Sequence, residues 1–415
     1  MPSAAAEDAY RRAREHLATD DLDGATQWLE RAAEHAHPAA LTELAIVHLH
    51  GFGRDADPQR ALQLLLRAER AGGTAETPWL LAQIVLGGVL LPCEPTRVDT
   101  LLADSARRGH PAALRVAGLC FGCSTDPDLQ RAATICLKRA CELRDPVGTA
   151  LFADRLHAGV GIVADPATAL GLARELRAMG IPVELPSSSA YVACAEPPST
   201  HTEPPWERLR LLEPVQVPRI VHCQSPQIAT FDGLLGDEQC RYVIYTGAPF
   251  LERSQVVDPA TGRQLANDLR TSQGMSFTPT LEDLGIRLLQ HRLSGLCGFE
   301  LAQCEPLTLL HYGVGEQYRP HRDYFMPSAP QLRQPGGQRH STVCVYLNEV
   351  VRGGQTDFPE RGVSVNPQRG RAVTFANLTA DGKPDPASLH AGVPVLAGEK
   401  WLSTCWIREH RARSF

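Results

Sequence analysis

The sequence lacks any long apolar run. Nowhere in its 415 residues does it gather the roughly eighteen consecutive apolar residues that a membrane-spanning helix needs. Residues 4–15 are rich in alanine, arginine and glutamate, a composition typical of a charged helix rather than of an apolar secretion signal. We therefore expect a cytoplasmic protein with no membrane attachment.

An excess of positive charge is also missing. The chain has 41 lysines and arginines against 47 acidic residues, a net charge of -6, so it carries no general attraction for nucleic acid or anionic membranes. A hydrophobic fraction of 43% and a charged fraction of 21% are those of a soluble globular protein. The length predicts two or three domains.

Paired cysteines are lacking as well. The 12 cysteines are scattered through a long chain without a secretion signal, where reduced thiols are the default. Cys120 and Cys123 have the spacing of a redox or zinc motif, but no second pair follows at zinc-finger distance. Buried thiols are therefore the expected state.

Residues from about 5 to 180 contain a helical repeat. Similar apolar stretches recur every 35 to 37 residues, each around one alanine: Ala45, Ala82, Ala117 and Ala153. A small residue at a fixed place lets paired helices approach closely. Segments such as His37-Pro38 and Asp57-Pro58 place a capping residue before a first-turn proline, as helix starts require, and His37 is expected to cap rather than to bind a metal.

This periodicity resembles tetratricopeptide-like repeats of the Sel1 type. The resemblance implies about four stacked units, residues 1–180, whose concave side could hold a protein or peptide. Recruitment of a substrate or partner and simple stabilisation of the chain both remain open. Residues 181–217, rich in proline and serine, are expected to form a linker of which the part around Trp206 packs.

Two metal ligands are predicted near position 320. His321 and Asp323 are two residues apart, so in an extended strand their side chains point to the same face. His390 can supply a third ligand. Two histidines and one carboxylate form the facial triad of non-haem Fe(II) oxygenases, which leaves coordination positions open for substrates.

Lys400 is the expected partner of an anion. Lys400, Leu402, Thr404 and Trp406 alternate along a predicted strand and therefore share one face. If that face points into a barrel, an unpaired ammonium would be costly there, so a bound anion is required.

His321, Asp323, His390 and Lys400, in this order and spacing, resemble the 2-oxoglutarate-dependent prolyl 4-hydroxylase family. Further segments carry the resemblance: residues 218–220, 231–235, 254–258, 270–275 and 353–359. The resemblance implies an α+β catalytic domain, residues 218–415, built on a double-stranded β-helix (jelly roll). The expected fold is thus multidomain, an all-α repeat solenoid followed by this domain.

The resemblance also implies the chemistry. Fe(II) on His321, Asp323 and His390, 2-oxoglutarate and O2 would hydroxylate a peptidyl proline at C4 with release of succinate and CO2, and L-ascorbate would sustain the iron. Lys400, Tyr312 and Thr356 would bind 2-oxoglutarate. The positions implied to contact the peptide are Tyr318, Arg339, Trp406, Glu305 and Arg270. Arg408 stands where the family often has histidine.

Two alternatives stay open at this point. The oxygenase could act on a small molecule such as a free amino acid, or the chain could be a catalytically inactive scaffold in which the repeats carry the function. Iron content and 2-oxoglutarate decarboxylation distinguish the scaffold from the enzyme. The sequence leaves the oligomeric state open.

Overall fold

The computed structural model describes residues 2–185, 203–254, 256–257, 264–265 and 269–415. The helices of the N-terminal part are α1 (Ala4–Leu17), α2 (Leu22–Glu34), α3 (Pro38–His50), α4 (Pro58–Arg70), α5 (Glu76–Gly87), α6 (Pro95–Arg107), α7 (Pro111–Gly122), α8 (Pro127–Glu142), α9 (Pro146–Ala158) and α10 (Pro166–Ala178). In the C-terminal part they are α11 (Asp237–Gly247) and α12 (Leu284–Leu296). None of the helices in these ranges is long and apolar enough to cross a bilayer.

The N-terminal helices pack as consecutive pairs, α1 with α2 through α9 with α10. This gives five pairs in the described chain, one more than the four units expected, because α1 and α2 lack the alanine-centred stretch that marks the others. The four recurring alanines lie in α3, α5, α7 and α9 and are 0% exposed. The small side chain therefore sits where neighbouring helices come closest, as the repeat pattern predicts.

Side-chain caps start most of the repeat helices. Asp57 accepts a hydrogen bond from the Arg60 backbone N–H at 2.9 Å, and Asp165 accepts one from Thr168 N–H at 3.0 Å. The His37 ring accepts from Ala40 N–H at 3.3 Å, so this histidine is a cap, as expected. Each bond satisfies a helix N–H that has no partner within the helix.

The connector packs where it is described. Of the predicted linker 181–217, residues 186–202 lie outside the described residues. Trp206, Leu209 and Leu211 are buried, and the Leu211 backbone N–H donates to the Asp99 carboxylate at 2.9 Å. This segment is therefore attached to the repeat array rather than free.

The C-terminal part is built on two sheets. Their strands are β1 (Arg219–Gln224), β2 (Gln227–Phe231), β3 (Glu252–Arg253), β6 (Gln273–Ser276), β7 (Thr308–Tyr312), β8 (Tyr318–His321), β9 (Arg339–Tyr346), β11 (Thr356–Phe358), β12 (Val363–Val365), β13 (Ala372–Ala376), β14 (His390–Gly392) and β16 (Lys400–Arg408). Two short pairs complete the set: β4 (Val256–Val257) with β5 (Gln264–Leu265), and β10 (Arg352–Gly353) with β15 (Val395–Ala397).

The large sheet has the order β1-β2-β13-β9-β16-β7-β6-β3 and the small one β12-β11-β14-β8. The chain crosses repeatedly between the two sheets, and every pairing in them is antiparallel. This is the expected jelly-roll arrangement, in which inward-facing side chains of both sheets meet. The fold class predicted from the sequence is confirmed.

Buried ion pairs join the repeat array to the catalytic part. Arg115 of α7 bonds both Asp145 and Asp283, the cap of α12, the latter at 2.7 Å. Arg155 of α9 binds the Glu238 carboxylate of α11 through two bonds of 2.6 and 2.7 Å. Helices α5, α7 and α9 thus contact α11 and α12, and the chain's own catalytic part covers this face of the array.

Candidate active site

His321 and His390 lie directly opposite each other on adjacent strands. β8 and β14 are antiparallel, and His390 is the residue paired with His321. Strand β8 ends at His321, so Asp323 lies just beyond it rather than on the strand as predicted. Its side chain nevertheless turns inward, and one ligand atom from each of the three residues lies within 4.8 Å of the others.

Backbone carbonyls orient both imidazoles. His321 Nδ1 bonds the Arg319 carbonyl at 2.9 Å and His390 Nδ1 bonds the Ser388 carbonyl at 3.0 Å. An Nδ1–H donated to a carbonyl leaves the Nε2 lone pair free. The Nε2 atoms face the Asp323 oxygens at 3.6 and 3.7 Å, too far apart for direct hydrogen bonds and suited to sharing an ion.

The charges of the cluster also fit a divalent metal. Burial and the neighbouring His321 lower the pKa of His390 to about 4, so this imidazole is neutral at physiological pH. Burial alone would raise the pKa of Asp323, but the two imidazoles and Arg339 outweigh it and hold that pKa far below its usual range. A buried carboxylate beside a neutral nitrogen ligand matches what Fe(II) in a facial triad requires.

Thr342 and Asn377 support the carboxylate, and sequence reasoning missed both. The Thr342 hydroxyl donates to Asp323 Oδ2 at 2.7 Å, and Asn377 Nδ2 donates to the Thr342 oxygen at 2.9 Å. Both residues are fully buried. They fix the orientation of Asp323, and this explains how a residue beyond the strand end still points into the site.

Lys400 is buried on the inner face of the large sheet. Its side chain is 2% exposed, and Nζ donates to the Gly354 carbonyl at 2.7 Å. Burial lowers the pKa of Lys400 to about 8, although Cys344 and Asp357 oppose the shift. The ammonium has no carboxylate partner among the residues that the structure describes, so it offers one charge to an anion entering the cavity.

Tyr312 and Thr356 stand beside Lys400. Tyr312 is opposite Lys400 in the β7–β16 pairing, and Nζ lies 5.2 Å from its ring centre. Thr356 accepts a hydrogen bond from the Tyr346 hydroxyl at 2.7 Å, so Tyr346 is a further member of this group that the sequence did not suggest. The cavity between the sheets is lined by both predicted residues, together with Lys400 and the three candidate ligands.

Three of the candidate substrate residues line the same cavity: Tyr318, Arg270 and Trp406. The Tyr318 ring stacks on His321 with centres 3.4 Å apart, and the Arg270 guanidinium lies 5.1 Å from the Tyr318 ring centre. Arg270 Nη2 and Trp406 Nε1 are buried without a hydrogen-bond partner in the described chain. These two N–H groups are therefore free to donate to a ligand.

Arg339 and Glu305 are arranged differently. They bind each other through two bonds of 2.8 and 2.7 Å, and Arg408 joins Glu305 at 3.3 Å. Neither Arg339 nor Glu305 is part of the cavity lining. The Arg339 guanidinium lies 4.0 Å from the Trp406 ring centre, so the pair orients Trp406, and direct contact with substrate stays a prediction.

One segment behind the sequence resemblance is only partly described. Of residues 254–258, Gln255 and Asp258 lie outside the described residues. Ser254 is described, and its hydroxyl hydrogen-bonds that of Ser272 at 2.9 Å. Ser272 also accepts from Arg270 Nε at 3.2 Å, which holds the Arg270 side chain at the cavity.

One family model matches the part of the chain that contains this site. The model of the 2OG-Fe(II) oxygenase superfamily matches residues 307–408, a range that contains the three candidate ligands and Lys400. Together, the jelly roll, the His-Asp-His cluster and this match define the chain as a 2-oxoglutarate-dependent dioxygenase, a class that uses Fe(II), 2-oxoglutarate and O2.

Sequence relatives identify the family of the chain within this class of dioxygenases. Probable prolyl 4-hydroxylase 10 of Arabidopsis thaliana is 37% identical over 205 residues, which cover 45% of this chain and 70% of that protein. The chain therefore belongs to the prolyl 4-hydroxylase family.

Two solved structures each match part of the chain. The viral collagen prolyl hydroxylase of Paramecium Bursaria Chlorella virus-1, in its 2OG complex, is 26% identical; the match covers 44% of this chain and 95% of that one, with a TM-score of 0.34. A Sel1 repeat protein from Oxalobacter formigenes is 17% identical; the match covers 42% of this chain and 73% of that one, with a TM-score of 0.36.

Proposed function

We propose that the enzyme hydroxylates a peptidyl proline at C4. The observation that carries this proposal is the convergence of His321, Asp323 and His390 beside the buried ammonium of Lys400, in a chain whose relatives are prolyl 4-hydroxylases. The three ligands would hold Fe(II). Bound iron and 2-oxoglutarate would supply the oxidising chemistry, in which O2 is consumed, succinate and CO2 are released and the substrate gains a hydroxyl group.

The chain's own residues would position the reactants. Lys400 would bind the distal carboxylate of 2-oxoglutarate, and Tyr312 and Thr356 would complete that end of the site. Burial between two sheets excludes water from the reacting centre and strengthens the attraction between Lys400 and the carboxylate. Ascorbate would keep the iron reduced between turnovers.

The free donors of the cavity suit a proline-containing peptide. Proline has no backbone N–H, so a protein recognises its surroundings through carbonyl acceptors and through ring contacts with aromatic side chains. Trp406 Nε1 and Arg270 Nη2 are unpaired donors in the described chain, and Tyr318 and Trp406 provide aromatic surfaces. A peptide carbonyl on either donor would satisfy a buried group that is otherwise costly.

Substrate recruitment by the repeats remains part of the proposal. Because α11 and α12 cover the face formed by α5, α7 and α9, a protein substrate would contact the remaining surfaces of the array. Both the peptide preference and this route are open to direct measurement.

The test combines turnover with product analysis. Proline-containing peptides and free amino acids are incubated with Fe(II), 2-oxoglutarate and the enzyme, and mass spectrometry locates any added oxygen atom. We expect oxygen on peptidyl proline and succinate formation that is lost in His321→Ala and Asp323→Ala. Undiminished turnover in both folded variants would refute the metal assignment, and oxygen only on a free amino acid would refute the peptide assignment.

A further inference from the structure

A second cavity lies between the repeat array and the catalytic part. It measures about 340 Å³, is partly open to solvent and is lined by α7, the connector segment 208–215, α11 and α12. Its walls are mainly aliphatic and aromatic side chains, among them Val116, Leu119, Phe121, Leu211, Leu235 and Leu289. It shares no lining residue with the cavity at the metal cluster, and its size is that of a small-molecule site.

Three arginines line this cavity: Arg208 and Arg210 are exposed, and Arg292 is half-buried. Arg292 of α12 lines the wall, and its one hydrogen bond, to Gln239 Oε1, is long at 3.5 Å. No carboxylate in the described ranges lies within ion-pair distance of it. Burial lowers the pKa of Arg292, but an arginine side chain remains protonated in proteins. The guanidinium is thus a half-buried charge without an ion-pair partner in the described chain.

The neighbouring thiols do not supply the missing charge. Burial raises the pKa of Cys120 to about 12 and also raises that of Cys123, so both are neutral. The Cys120 thiol already donates to the Arg210 carbonyl at 3.0 Å, and Gln239 Nε2 donates to Cys123 Sγ at 3.2 Å. These polar groups bond each other and leave the cation unmatched.

The buried arginines of the described chain provide a comparison. Buried arginines elsewhere bond carboxylates: Arg115, Arg155, Arg287 and Arg408. Among the described residues, the buried exception is Arg270, which lines the active-site cavity. Arg292, which lines the second cavity, also has no carboxylate partner in the described chain, although it is half-buried rather than buried.

We propose that this cavity binds an amphiphilic monocarboxylate, such as a medium-chain fatty acid, with the carboxylate on Arg292 and the hydrocarbon chain against the apolar walls. A guanidinium and a carboxylate form two parallel hydrogen bonds, which compensate one charge with one charge. A phosphate group would bring a second negative charge into apolar surroundings, and a neutral chain would leave the cation unmatched.

Such a ligand would contact α7 of the array and α11 and α12 of the catalytic part at once. A molecule that binds only the folded, assembled chain stabilises it by mass action. We therefore expect the unfolding temperature of the whole protein to rise steadily with the concentration of the monocarboxylate.

The experiment uses the full chain and decanoate as the probe. Isothermal titration calorimetry and thermal unfolding are run with decanoate and with decanol, its uncharged counterpart. Arg292→Leu removes the cation but keeps apolar volume, and Leu288→Trp fills the cavity from α12. Arg174→Leu makes the same charge change at an exposed position of α10 and serves as the matched control.

We expect decanoate to bind the parent protein and Arg174→Leu equally, about 10- to 100-fold more weakly to Arg292→Leu, as loss of a charged hydrogen bond predicts, and not to Leu288→Trp. Turnover of 2-oxoglutarate without decanoate should be unchanged in Arg292→Leu. Absence of decanoate binding to the parent protein, equal binding to Arg292→Leu, or equal binding of decanol would each overturn the proposal.

Discussion

Replacement of Lys400 by methionine should have opposite effects on cosubstrate binding and on stability. Methionine preserves the length and apolar stem of the side chain but removes the ammonium. The structure surrounds that ammonium with the Gly354 carbonyl and two tyrosine rings and provides no carboxylate within the described part of the chain. Loss of its bond to the bound diacid should raise the KM for 2-oxoglutarate by about 10- to 100-fold.

The same substitution should stabilise the protein without cosubstrate. The pKa of Lys400 is about 8 in the folded chain against an ordinary value of 10.5, which corresponds to a cost of about 3 kcal/mol for the protonated form. The bond to Gly354 that is lost offsets about 1 kcal/mol. We therefore expect Lys400→Met to raise the free energy of unfolding by about 2 kcal/mol at pH 7.

The sign of the pH dependence follows from the same values. Between pH 8 and 10.5 the unfolded chain binds this proton and the folded chain releases it, so the free energy of unfolding rises with pH in that range. The affinity for 2-oxoglutarate should fall over the same range, because the deprotonated amine carries no charge. Lys400→Met should show neither change.

Two measurements decide this prediction. Succinate formation gives the KM for 2-oxoglutarate, and denaturant unfolding of the metal-free and cosubstrate-free protein gives stability. Lys383→Met, at an exposed lysine that pairs with Asp381, is the matched control and should leave both values unchanged. An unchanged KM would place the anion anchor elsewhere, and a lower stability would mean that the charge of Lys400 is already compensated.

Three further predictions concern residues outside the cavity wall. Thr342→Val should weaken Fe(II) or Co(II) binding by about 10- to 100-fold, because Asp323 loses its orienting bond; a spectroscopic Co(II) titration measures it, and unaltered affinity would contradict the positioning role. Arg155→Met should lower the free energy of unfolding, measured with denaturant, by about 3–5 kcal/mol, because it leaves Glu238 unpaired. The double variant Arg155→Met with Glu238→Leu should recover most of that stability. If the single and the double variant lose the same stability, the ion pair does not have this role. Ala117→Leu, at a fully buried repeat position, should lower the free energy of unfolding by about 1–3 kcal/mol. An unchanged free energy of unfolding would mean that the helices have room for a larger side chain there.

The repeat array was predictable because short segments of sequence mark the starts of its helices. A helix start such as Asp57-Pro58 depends on a capping side chain and a first-turn proline within a few residues, and the structure has that cap in place. The first pair, α1 and α2, lacks the recurring apolar stretch, because the buried residues of α1, Ala6, Ala9 and Ala13, stand among charged ones. This pair belongs to the array because it packs against α3, and no local sequence pattern encodes that contact.

The active site was predictable only in part, because some of its residues are brought together only by folding. Histidine, aspartate and lysine are residue types that bind metals and anions, so the sequence alone pointed to His321, Asp323, His390 and Lys400. Thr342 lies on β9 and Asn377 one residue beyond the end of β13, and these two strands meet only in the folded sheet. A threonine and an asparagine therefore gave no signal in the sequence. The jelly roll itself was inferred through family resemblance rather than through strand periodicity.

The ion pairs between array and catalytic part also restrict how this architecture can change. Arg115 and Arg155 come from successive repeats, α7 and α9, and each faces a different acidic residue of the oxygenase part, Asp283 and Glu238. Inserting a repeat between these two would displace one arginine by a full unit, beyond reach of its carboxylate, and deleting either repeat would remove one of the two ion pairs. Solenoids that serve external ligands can gain or lose units gradually, whereas here the repeat number is tied to the enzyme it holds.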